Sequence, residues 1–533
     1  MSDATDKSQL YETEYEIGQD NLQKWGMDVH HPVFWIASGL VLVFVLGVLI
    51  APGAAKEALD GAKWWSIAKF DWLFMIGANL FVLFSLALIV LPVGKIRLGG
   101  DNAKPEFSTF SWFAMLFAAG MGIGLMFWSV AEPTAYFTGW YETPLGVEAN
   151  SPEAAQKAMS ATMFHWGLHP WAIYAVVALS LAFFSYNKGL PLTIRSAFYP
   201  LIKEHSWGPF GHLIDTIAVV ATLFGLATSL GFGAQQAAAG IEYLMSGGDP
   251  AEGSNFGIQL AIIIGVTAIA LISVIRGLDG GVKVLSNVNM TIAGVLLLFV
   301  IIAGPTAFIF TTIGTTAVGY VQDIFSYSNW IGRGDEAWMQ GWTVFYWAWW
   351  ISWSPFVGMF IARVSYGRTV REFIIAVLLV PTAVTLVWMS AFGGSALDQI
   401  INGVGALAGG LGAVELAMFQ MLENLPMTAL TSGIGIILVL VFFITSSDSG
   451  SLVIDAITAG GKVDAPVVQR IFWVVIEGVV AAVLLFGGGA DALTALQAAA
   501  ITVGLPFTLV LIVMCLCLYL GLQHEKEYVS EVA

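Results

Sequence analysis

Long apolar runs recur along the chain, and they constrain its fold more than any other feature. A membrane-crossing helix needs about 20 predominantly apolar residues. Twelve runs of that kind span residues 33–51, 71–93, 109–131, 160–185, 212–245, 257–275, 287–313, 340–362, 372–395, 427–447, 471–487 and 496–521. Charged residues make up only 11% of the 533, against about 25% in ordinary soluble domains. The sequence therefore predicts an all-α, polytopic membrane protein.

The positions of the basic residues predict the orientation of the chain. If the first run starts inside, sixteen of the 21 Lys and Arg residues fall in inner segments and five in outer ones. Cytoplasmic segments carry such an excess, so both termini are predicted to be cytoplasmic. The predicted domains are a polar, acidic and disordered tail over 1–32, a transmembrane domain over 33–521 and a short tail over 522–533. The net charge of -16 argues against a nucleic-acid partner, because phosphates bind basic surfaces.

Two of the runs carry helix-breaking residues near their middles. The third contains GMGIG at 120–124, and the eighth contains SWSP at 352–355. Interrupted helices at corresponding positions of two halves mark the binding site of many secondary transporters. The pair predicts two inverted five-helix repeats, over about 108–313 and about 338–521, with helices 1 and 2 additional. Close helix packing is the alternative for the glycines, but each costs about 1 kcal/mol of helix propensity, which favours an unwound segment.

Aromatic residues cluster on two of the predicted helices. At about 100° per residue, one sector of the eighth helix carries Trp342, Tyr346, Trp349, Trp350, Trp353 and Phe356, and Trp347 points the other way. One face of the fourth helix carries Trp166, Trp171 and Tyr174. Interfacial belts explain tryptophans at helix ends, but Trp349, Trp350 and Trp353 lie near the middle. Stacked rings without an acidic partner suit a quaternary ammonium or sulfonium group.

Two histidines, one interior carboxylate and two long outer segments are the other polar features of the sequence. His165 and His169 have a spacing compatible with a metal site, but without an evident third ligand they are predicted to make structural hydrogen bonds. Glu477 is the most interior carboxylate of the eleventh run, where a proton relay is the functional alternative. Residues 314–339 are predicted to begin with an interfacial helix. Residues 396–426 either gate the outer mouth or form a plain surface connection.

Three segments of the sequence resemble the betaine/carnitine/choline transporter family. They are FAAGMGIGLMFWSVAEP (117–133), MFHWGLHPWAIY (163–174) and FYWAWWISWSPFVGMFIARVSYGRTVREF (345–373), and a fourth is ITSSDSGSLVID (444–455). The likeness extends over about 30–520. It implies twelve helices, arranged as two inverted repeats of the LeuT type plus two N-terminal helices. It also implies a homotrimer in the lipid bilayer of a bacterial inner membrane.

The resemblance implies the residues of the site as well. Those that bind substrate would be Trp166, Trp171, Tyr174, Trp349, Trp350, Trp353, Gly120, Met121, Gly122, Gly124 and Phe360. Sodium would be bound by the carbonyl oxygens of Ala118, Met121 and Phe442 and the hydroxyl groups of Thr445 and Ser446. Oxygen ligands of this kind suit a hard cation. A possible second sodium site would use Thr222 and Phe356, but Leu226 stands where the family has a second threonine.

These features together predict a sodium symporter that imports a betaine-like onium zwitterion, such as glycine betaine, by alternating access. Gly124 stands where choline-type members have an aspartate, which favours a zwitterion. The fifth helix lacks the arginine of sodium-independent exchangers. The alternatives are a transporter of dimethylsulfoniopropionate, carnitine, choline or ectoine, or a sodium-independent exchanger.

Two unrelated classes of membrane protein fit the sequence less well. A membrane enzyme would need convergent acid, base or metal groups at one depth, and a channel would need a continuous polar lumen. The intramembrane polar residues are scattered, and the tryptophans predict a constriction. The sequence therefore predicts no enzymatic activity, and no cofactor or metal beyond the coupling sodium ion.

Overall fold

The computed structural model describes residues 11–120, 122–247, 255–276 and 282–532, and most of them are helical. The helices of the first half are α1 (His31–Ile50), α2 (Pro52–Val90), α3 (Thr109–Gly120), α4 (Ile123–Thr138), α5 (Pro152–Trp166), α6 (Leu168–Tyr186), α7 (Tyr199–Ile202), α8 (Pro209–Ser246) and α9 (Phe256–Arg276). Those of the second half are α10 (Val282–Ala303), α11 (Thr306–Ser328), α12 (Glu336–Trp338), α13 (Val344–Val364), α14 (Val370–Ile401), α15 (Ala417–Glu423), α16 (Thr428–Thr458), α17 (Val467–Gly488) and α18 (Ala492–Val532). A two-stranded antiparallel hairpin, β1 (Asn21–Lys24) and β2 (Met27–His30), precedes α1.

This architecture confirms an all-α, polytopic membrane fold. Within the described residues, nine helical stretches are long and apolar enough to cross a membrane, and the last of them, Val467–Lys526, contains α17 and most of α18. Helix α13 packs against α6, α8 and α18. Its buried tryptophans therefore lie among helices from both halves of the chain.

The predicted interruption of the third helix is confirmed. Helix α3 ends at Gly120 and α4 begins at Ile123, and between them Gly122 has an extended backbone with φ of -170°. Met121 lies outside the described residues. The last carbonyls of α3 and the first amides of α4 lack partners within their own helices, so this level of the fold offers free backbone polar groups.

The predicted interruption of the eighth helix is wrong. Helix α13 runs unbroken from Val344 to Val364 with Pro355 inside it. Proline cannot donate to the carbonyl oxygen four residues earlier, which here belongs to Ile351. The hydroxyl of Ser354 donates to that oxygen instead, at 2.7 Å. The serine therefore satisfies the acceptor that proline leaves free, and the helix continues.

The structure contains two breaks that the hydropathy runs did not predict. The fourth run is divided at Gly167 into α5 and α6. The predicted span 287–313 is wrong at its end, because α10 stops at Ala303 and Pro305 precedes a separate helix, α11. A helix is present within 314–339 as predicted, but it begins earlier, at Thr306.

The described part of the polar N-terminal tail, from residue 11 onward, is ordered where the tail was predicted to be disordered. Residues 11–30, here called the N-terminal strap, end in the β1–β2 hairpin and contact segments from both halves of the protein. The hydroxyl of Tyr15 accepts from Arg195 at 2.8 Å. The carboxylate of Asp28 accepts from Lys462 at 2.6 Å. These partners are distant in sequence, so local composition could not predict them.

The N-terminal strap is expected to loosen as the pH falls. Burial, with Arg195 and His212 beside the ring, lowers the pKa of His30 to about 3, and Asp20 faces it at 3.8 Å. A detached strap would return this pKa to about 6.5. The detached form then binds a proton that the attached form does not, so attachment is fully favoured above pH of about 6.5 and weakens below it.

Hydrogen exchange of the strap, corrected for intrinsic rates, measures this effect. Protection should fall about tenfold between pH of about 7.5 and 5.5. The variant His30→Gln, which cannot titrate, should show a nearly flat profile. An equal decline in that variant would mean that another group is responsible.

Candidate substrate site

The predicted aromatic residues surround one cavity of about 520 Å³. It is lined by Ala119, Gly122, Ile123, Gly124, Leu125, Trp166, Pro170, Trp171, Tyr174, Ser229, Trp349, Trp350, Trp353, Thr385 and Ser446. None of these lining residues, among those that the structure describes, carries a charge. The volume includes space at the mouth where the cavity is open to solvent.

Four of the rings, here called the aromatic cage, meet at close range. The ring of Trp350 lies 4.8 Å from that of Trp166 at 71° and 6.4 Å from that of Tyr174 at 77°. Trp171 meets Tyr174 at 5.4 Å and 79°. Trp349 stacks on Trp350 at 4.5 Å from outside this group. Nearly perpendicular rings present faces from several directions, as recognition of an onium cation requires.

The break between α5 and α6 positions two members of the cage. Trp166 is the last residue of α5, and Trp171 lies in the first turn of α6. The indole N–H of Trp350 donates at 2.9 Å to the carbonyl oxygen of His165, which lies in the last turn of α5. The hydroxyl of Tyr320 accepts from the amide of Leu168 at 3.0 Å. Side chains of α13 and α11 therefore satisfy the backbone groups that the break frees.

Two glycines of the interrupted third helix contact the cage differently. A Cβ at Gly124 would lie 2.8 Å from Cη2 of Trp166 and 2.9 Å from Cη2 of Trp349, closer than real side chains approach. A Cβ at Gly122 would meet only Trp353, at 3.8 Å. Gly124 is therefore the position where the absence of a side chain lets two tryptophan rings close.

The expectation of rings without an acidic partner is wrong. Glu132 on α4 is fully buried, and its Oε2 accepts from the indole N–H of Trp166 at 2.7 Å and from the hydroxyl of Tyr346 at 2.5 Å. Its Oε1 accepts from the hydroxyl of Tyr136 at 3.0 Å and lies 2.8 Å from Nδ1 of His165. The carboxylate does not line the cavity but lies behind one of its walls.

Helical spacing was the signal that could have revealed Glu132. The positions Gly124, Trp128, Glu132 and Tyr136 are each four residues apart, so they share one face of a helix. Gly124 was already placed at the site. A carboxylate two turns further along that face was therefore a candidate neighbour of the aromatic residues.

The two histidines and Trp347 have the roles predicted for them. His165 bonds to Thr343 through Nε2 at 3.0 Å as well as to Glu132, and His169 bonds to Asn79 at 3.1 Å. The ring of Trp347 stacks on His169 at 5.1 Å and does not line the cavity. Both histidines therefore belong to structural hydrogen-bond networks.

Several predicted substrate residues lie at the edge of the cage or beyond it. Trp353 lines the cavity and lies 6.5 Å from Tyr174. Phe360 is half-buried on the same helix but does not line the cavity. Gly120 is the last residue of α3, while Met121 lies outside the described residues. Sequence reasoning missed Ser229, Thr385 and Pro170, which the fold brings to the cavity from α8, α14 and α6.

Four of the five predicted sodium residues lie on two helices that reach the cavity, and the fifth, Met121, lies outside the described residues. Ala118 is half-buried in the last turn of α3, and Phe442 is buried on α16. The hydroxyl of Thr445 donates to the carbonyl of Val441 at 3.0 Å or of Phe442 at 3.2 Å. Ser446 lines the cavity with residues that flank the break between α3 and α4.

The residues named for a second sodium site have other contacts. The hydroxyl of Thr222 donates to the carbonyl oxygen of Ala218 at 2.6 Å. Phe356 meets Trp353 at 5.2 Å. Leu226 packs so closely on α16 that a Cβ at Gly450 would lie 2.4 Å from it. An apolar contact therefore occupies the position where a second hydroxyl would be needed.

Comparison with known proteins matches this chain along nearly its whole length. A profile described as betaine/carnitine/choline family transporter (BCCT) covers residues 32–527. A protein of Vibrio parahaemolyticus named glycine betaine transporter 1 is 63% identical, over 99% of this chain and 100% of its own. A second protein of that organism, named as a transporter of glycine betaine, proline, choline and ectoine, is 58% identical over 98% of this chain and 93% of its own. A glycine betaine transporter of Bacillus subtilis is 43% identical over 94% of this chain and 96% of its own.

Proposed function

The chain belongs to the betaine/carnitine/choline transporter family, and we propose that it imports a betaine-like onium zwitterion, with glycine betaine as the principal substrate. Import would be secondary active transport, driven by sodium symport and achieved by alternating access. The three relatives described above are named as transporters rather than enzymes, and all three names contain glycine betaine.

One observation carries the substrate proposal: an uncharged cavity walled by the rings of Trp166, Trp171, Tyr174 and Trp350. A quaternary ammonium group has no N–H to donate, so it cannot form N–H hydrogen bonds to carbonyl or carboxylate oxygens. It gains instead from the negative faces of aromatic rings. The substrate carboxylate would meet the free backbone groups near Gly120 and Gly122, because the positive end of a helix dipole attracts anions.

The proposed architecture is twelve membrane helices with two inverted five-helix repeats of the LeuT type. The pairs α3–α4 and α5–α6 would each count as one interrupted helix, with α1 and α2 additional to the repeats. The break between α3 and α4 supports this proposal, since discontinuous helices at the binding site are usual in such transporters. We also propose a homotrimer in a bacterial inner membrane with both termini in the cytoplasm.

Sodium would be bound by carbonyl oxygens of Ala118, Met121 and Phe442 together with the hydroxyl oxygens of Thr445 and Ser446. Two observations favour these residues. Carbonyls in the last turn of α3 have no helical partners, and Ser446 lines the same cavity as the flanks of that break. Five oxygens without a carboxylate suit a singly charged, hard cation. The contact between Leu226 and Gly450 argues for one sodium ion per cycle rather than two.

Uptake of labelled glycine betaine into proteoliposomes tests this function. We expect uptake to require an inward sodium gradient and to increase when an inside-negative potential is imposed. Each sodium that enters is worth about 2.3 kcal/mol per 100 mV, which is about fiftyfold in accumulation. Because the substrate is neutral overall, the whole electrical term drives its concentration. A potassium gradient of equal size is the control, and equal uptake under it would refute sodium coupling.

A competition panel in the same assay resolves the substrate. The relative that is 58% identical bears the names of proline, choline and ectoine as well, so a wider specificity is the second candidate. Dimethylsulfoniopropionate and carnitine belong in the panel because both present an onium group and a carboxylate. Uptake of these compounds in preference to glycine betaine would correct the proposal, and exchange without sodium would indicate an antiporter.

A further inference from the structure

A buried carboxylate stands behind the aromatic cage, and nothing in the proposed function uses it. Glu132 is fully buried on α4 and is hydrogen-bonded to side chains of two other helices, α5 and α13. We propose that Glu132 is the positioning residue that determines affinity for the onium group. It does so through the cage rings without touching the substrate. This inference rests on the proposed function of the cavity.

Three side-chain donors point at the two oxygens of Glu132. An indole N–H can only donate, so Trp166 donates to Oε2. The hydroxyl of Tyr346 donates to the same oxygen, and that of Tyr136 donates to Oε1. Within the described residues the nearest basic side chain is the imidazole of His165, and no Lys or Arg pairs with Glu132. A carboxylate binds such donors more strongly than a neutral group does.

The carboxylate fixes the ring of Trp166 from one end. At the other end, Cη2 of that ring is pressed against Gly124, where a Cβ would be only 2.8 Å away. Trp166 is also the last residue of α5, so no following helical turn supports it. The hydrogen bond to Glu132 and the contact with Gly124 therefore hold the ring face at a fixed angle to the cavity.

Two further rings depend on the same carboxylate. Tyr346, which donates to Oε2, stacks on Trp350 with ring centres 5.8 Å apart and an angle of 29°. His165 lies 2.8 Å from Oε1, and its backbone carbonyl accepts from the indole N–H of Trp350. Glu132 is thus connected to Trp350 by two short routes as well as to Trp166 directly.

The charge of Glu132 adds an electronic effect to this geometry. An N–H that donates to an anion becomes more strongly polarised, and electron density rises on the ring to which it belongs. Attraction between a cation and a ring depends on that density. The face of Trp166 turned to the cavity should therefore attract an onium group more strongly while its N–H bonds to Glu132.

Replacement of Glu132 by glutamine in the full-length, reconstituted protein tests the inference. The variant Glu132→Gln keeps the side-chain size but removes the charge. The NH2 group of its amide also faces side chains that themselves donate hydrogen bonds. We expect KM for glycine betaine to rise about tenfold or more, as for loss of a charged hydrogen bond, with Vmax changed much less. Competition by the carbon isostere of glycine betaine, in which a tert-butyl group replaces trimethylammonium, should change little. An unchanged ratio of the two affinities would overturn the proposal.

A double-mutant cycle distinguishes action through Trp166 from a general loss of structure. The variant Trp166→Phe keeps a ring face but has no N–H to donate to Glu132. If Glu132 acts through this bond, adding Glu132→Gln to Trp166→Phe should raise KM by clearly less than it does alone. Fully additive effects would refute the mechanism. If Glu132→Gln does not fold, Trp166→Phe and Tyr346→Phe test the bonds from the donor side, and unchanged KM in both would refute it.

Glu477 provides a matched control. It is another fully buried carboxylate, on α17, and it accepts from Ser447 at 2.9 Å without lining the cavity. Glu477→Gln should leave KM for glycine betaine unchanged, and an equal rise in both variants would overturn the inference. If the wild-type protein takes up no glycine betaine, the proposed function itself fails. If the wild type transports and Glu132→Gln has the same KM, only the role of Glu132 fails.

Discussion

The variant Trp350→Leu is expected to lose high-affinity uptake of glycine betaine. Trp350 contributes a face to the cage, and a cation against a desolvated ring is stabilised by about 2 kcal/mol or more. The substitution also removes the indole N–H that donates to the carbonyl of His165, and an unpaired buried acceptor costs about 1–3 kcal/mol. The lost cation–ring contact alone corresponds to a rise in KM of about thirtyfold or more, measurable by uptake of the labelled substrate. The unpaired acceptor lowers the stability of the free and the bound protein alike.

Trp347→Leu is the control for that experiment. Trp347 is on the same helix and equally buried, but its ring stacks on His169 and does not line the cavity. Its truncation should reduce stability by about 3 kcal/mol or more, seen as a lower Tm, while KM for glycine betaine changes less than about twofold. If both variants raise KM equally, the loss in Trp350→Leu reflects instability and not the cage.

A large effect on KM is also expected from Gly124→Ala, although this substitution adds only one methyl group. In Gly124→Ala the new methyl group would lie 2.8 Å from Cη2 of Trp166 and 2.9 Å from Cη2 of Trp349. Neither rigid ring can yield at its tip without turning as a whole, and Trp166 is held by Glu132. Overpacking of this kind costs about 1–3 kcal/mol. We expect KM for glycine betaine to rise about tenfold.

Gly122→Ala provides the comparison for this prediction. A Cβ at Gly122 would have ordinary contact with Trp353, at 3.8 Å, and its extended backbone accepts any residue. The rise in KM should therefore be less than about threefold. Equal effects of the two substitutions would show that backbone flexibility at the break, and not ring closure over Gly124, is what the glycines provide. Uptake kinetics of both variants at saturating sodium decide between these explanations.

The aromatic cage was largely predictable because its members lie at helical spacing in two of the predicted apolar runs, although the structure divides the first of these runs into α5 and α6. Trp166, Trp171, Tyr174 and Trp350 could be assigned to helix faces from the period of the helix, and the fold gathers all four around one cavity. The prediction failed where the side chain next to a helix-breaking residue satisfies the backbone acceptor that the residue leaves free. Pro355 was read as a break, but Ser354 satisfies the carbonyl that the proline leaves free.

Other parts of the site depend on pairs that no local pattern links. Glu132 receives its hydrogen bond from Tyr346 across 214 residues of sequence. The N-terminal strap is held by Lys462, which lies 434 residues from Asp28. Side chains from α8 and α14, Ser229 and Thr385, complete the lining of the cavity. A single sequence shows each of these residues as an isolated polar group with several possible partners.

The sequence by itself determined that this is an all-helical membrane protein with a glycine-interrupted helix and an aromatic site. It could do so because the free energy of transferring a helix from water to lipid is a sum over the residues of that helix. Helix propensity is likewise a local property. Only the tertiary structure decided that Glu132 stands behind Trp166 and that residues 11–30 are ordered. Those outcomes depend on hydrogen bonds between distant residues, whose buried donors and acceptors must find partners in the folded chain.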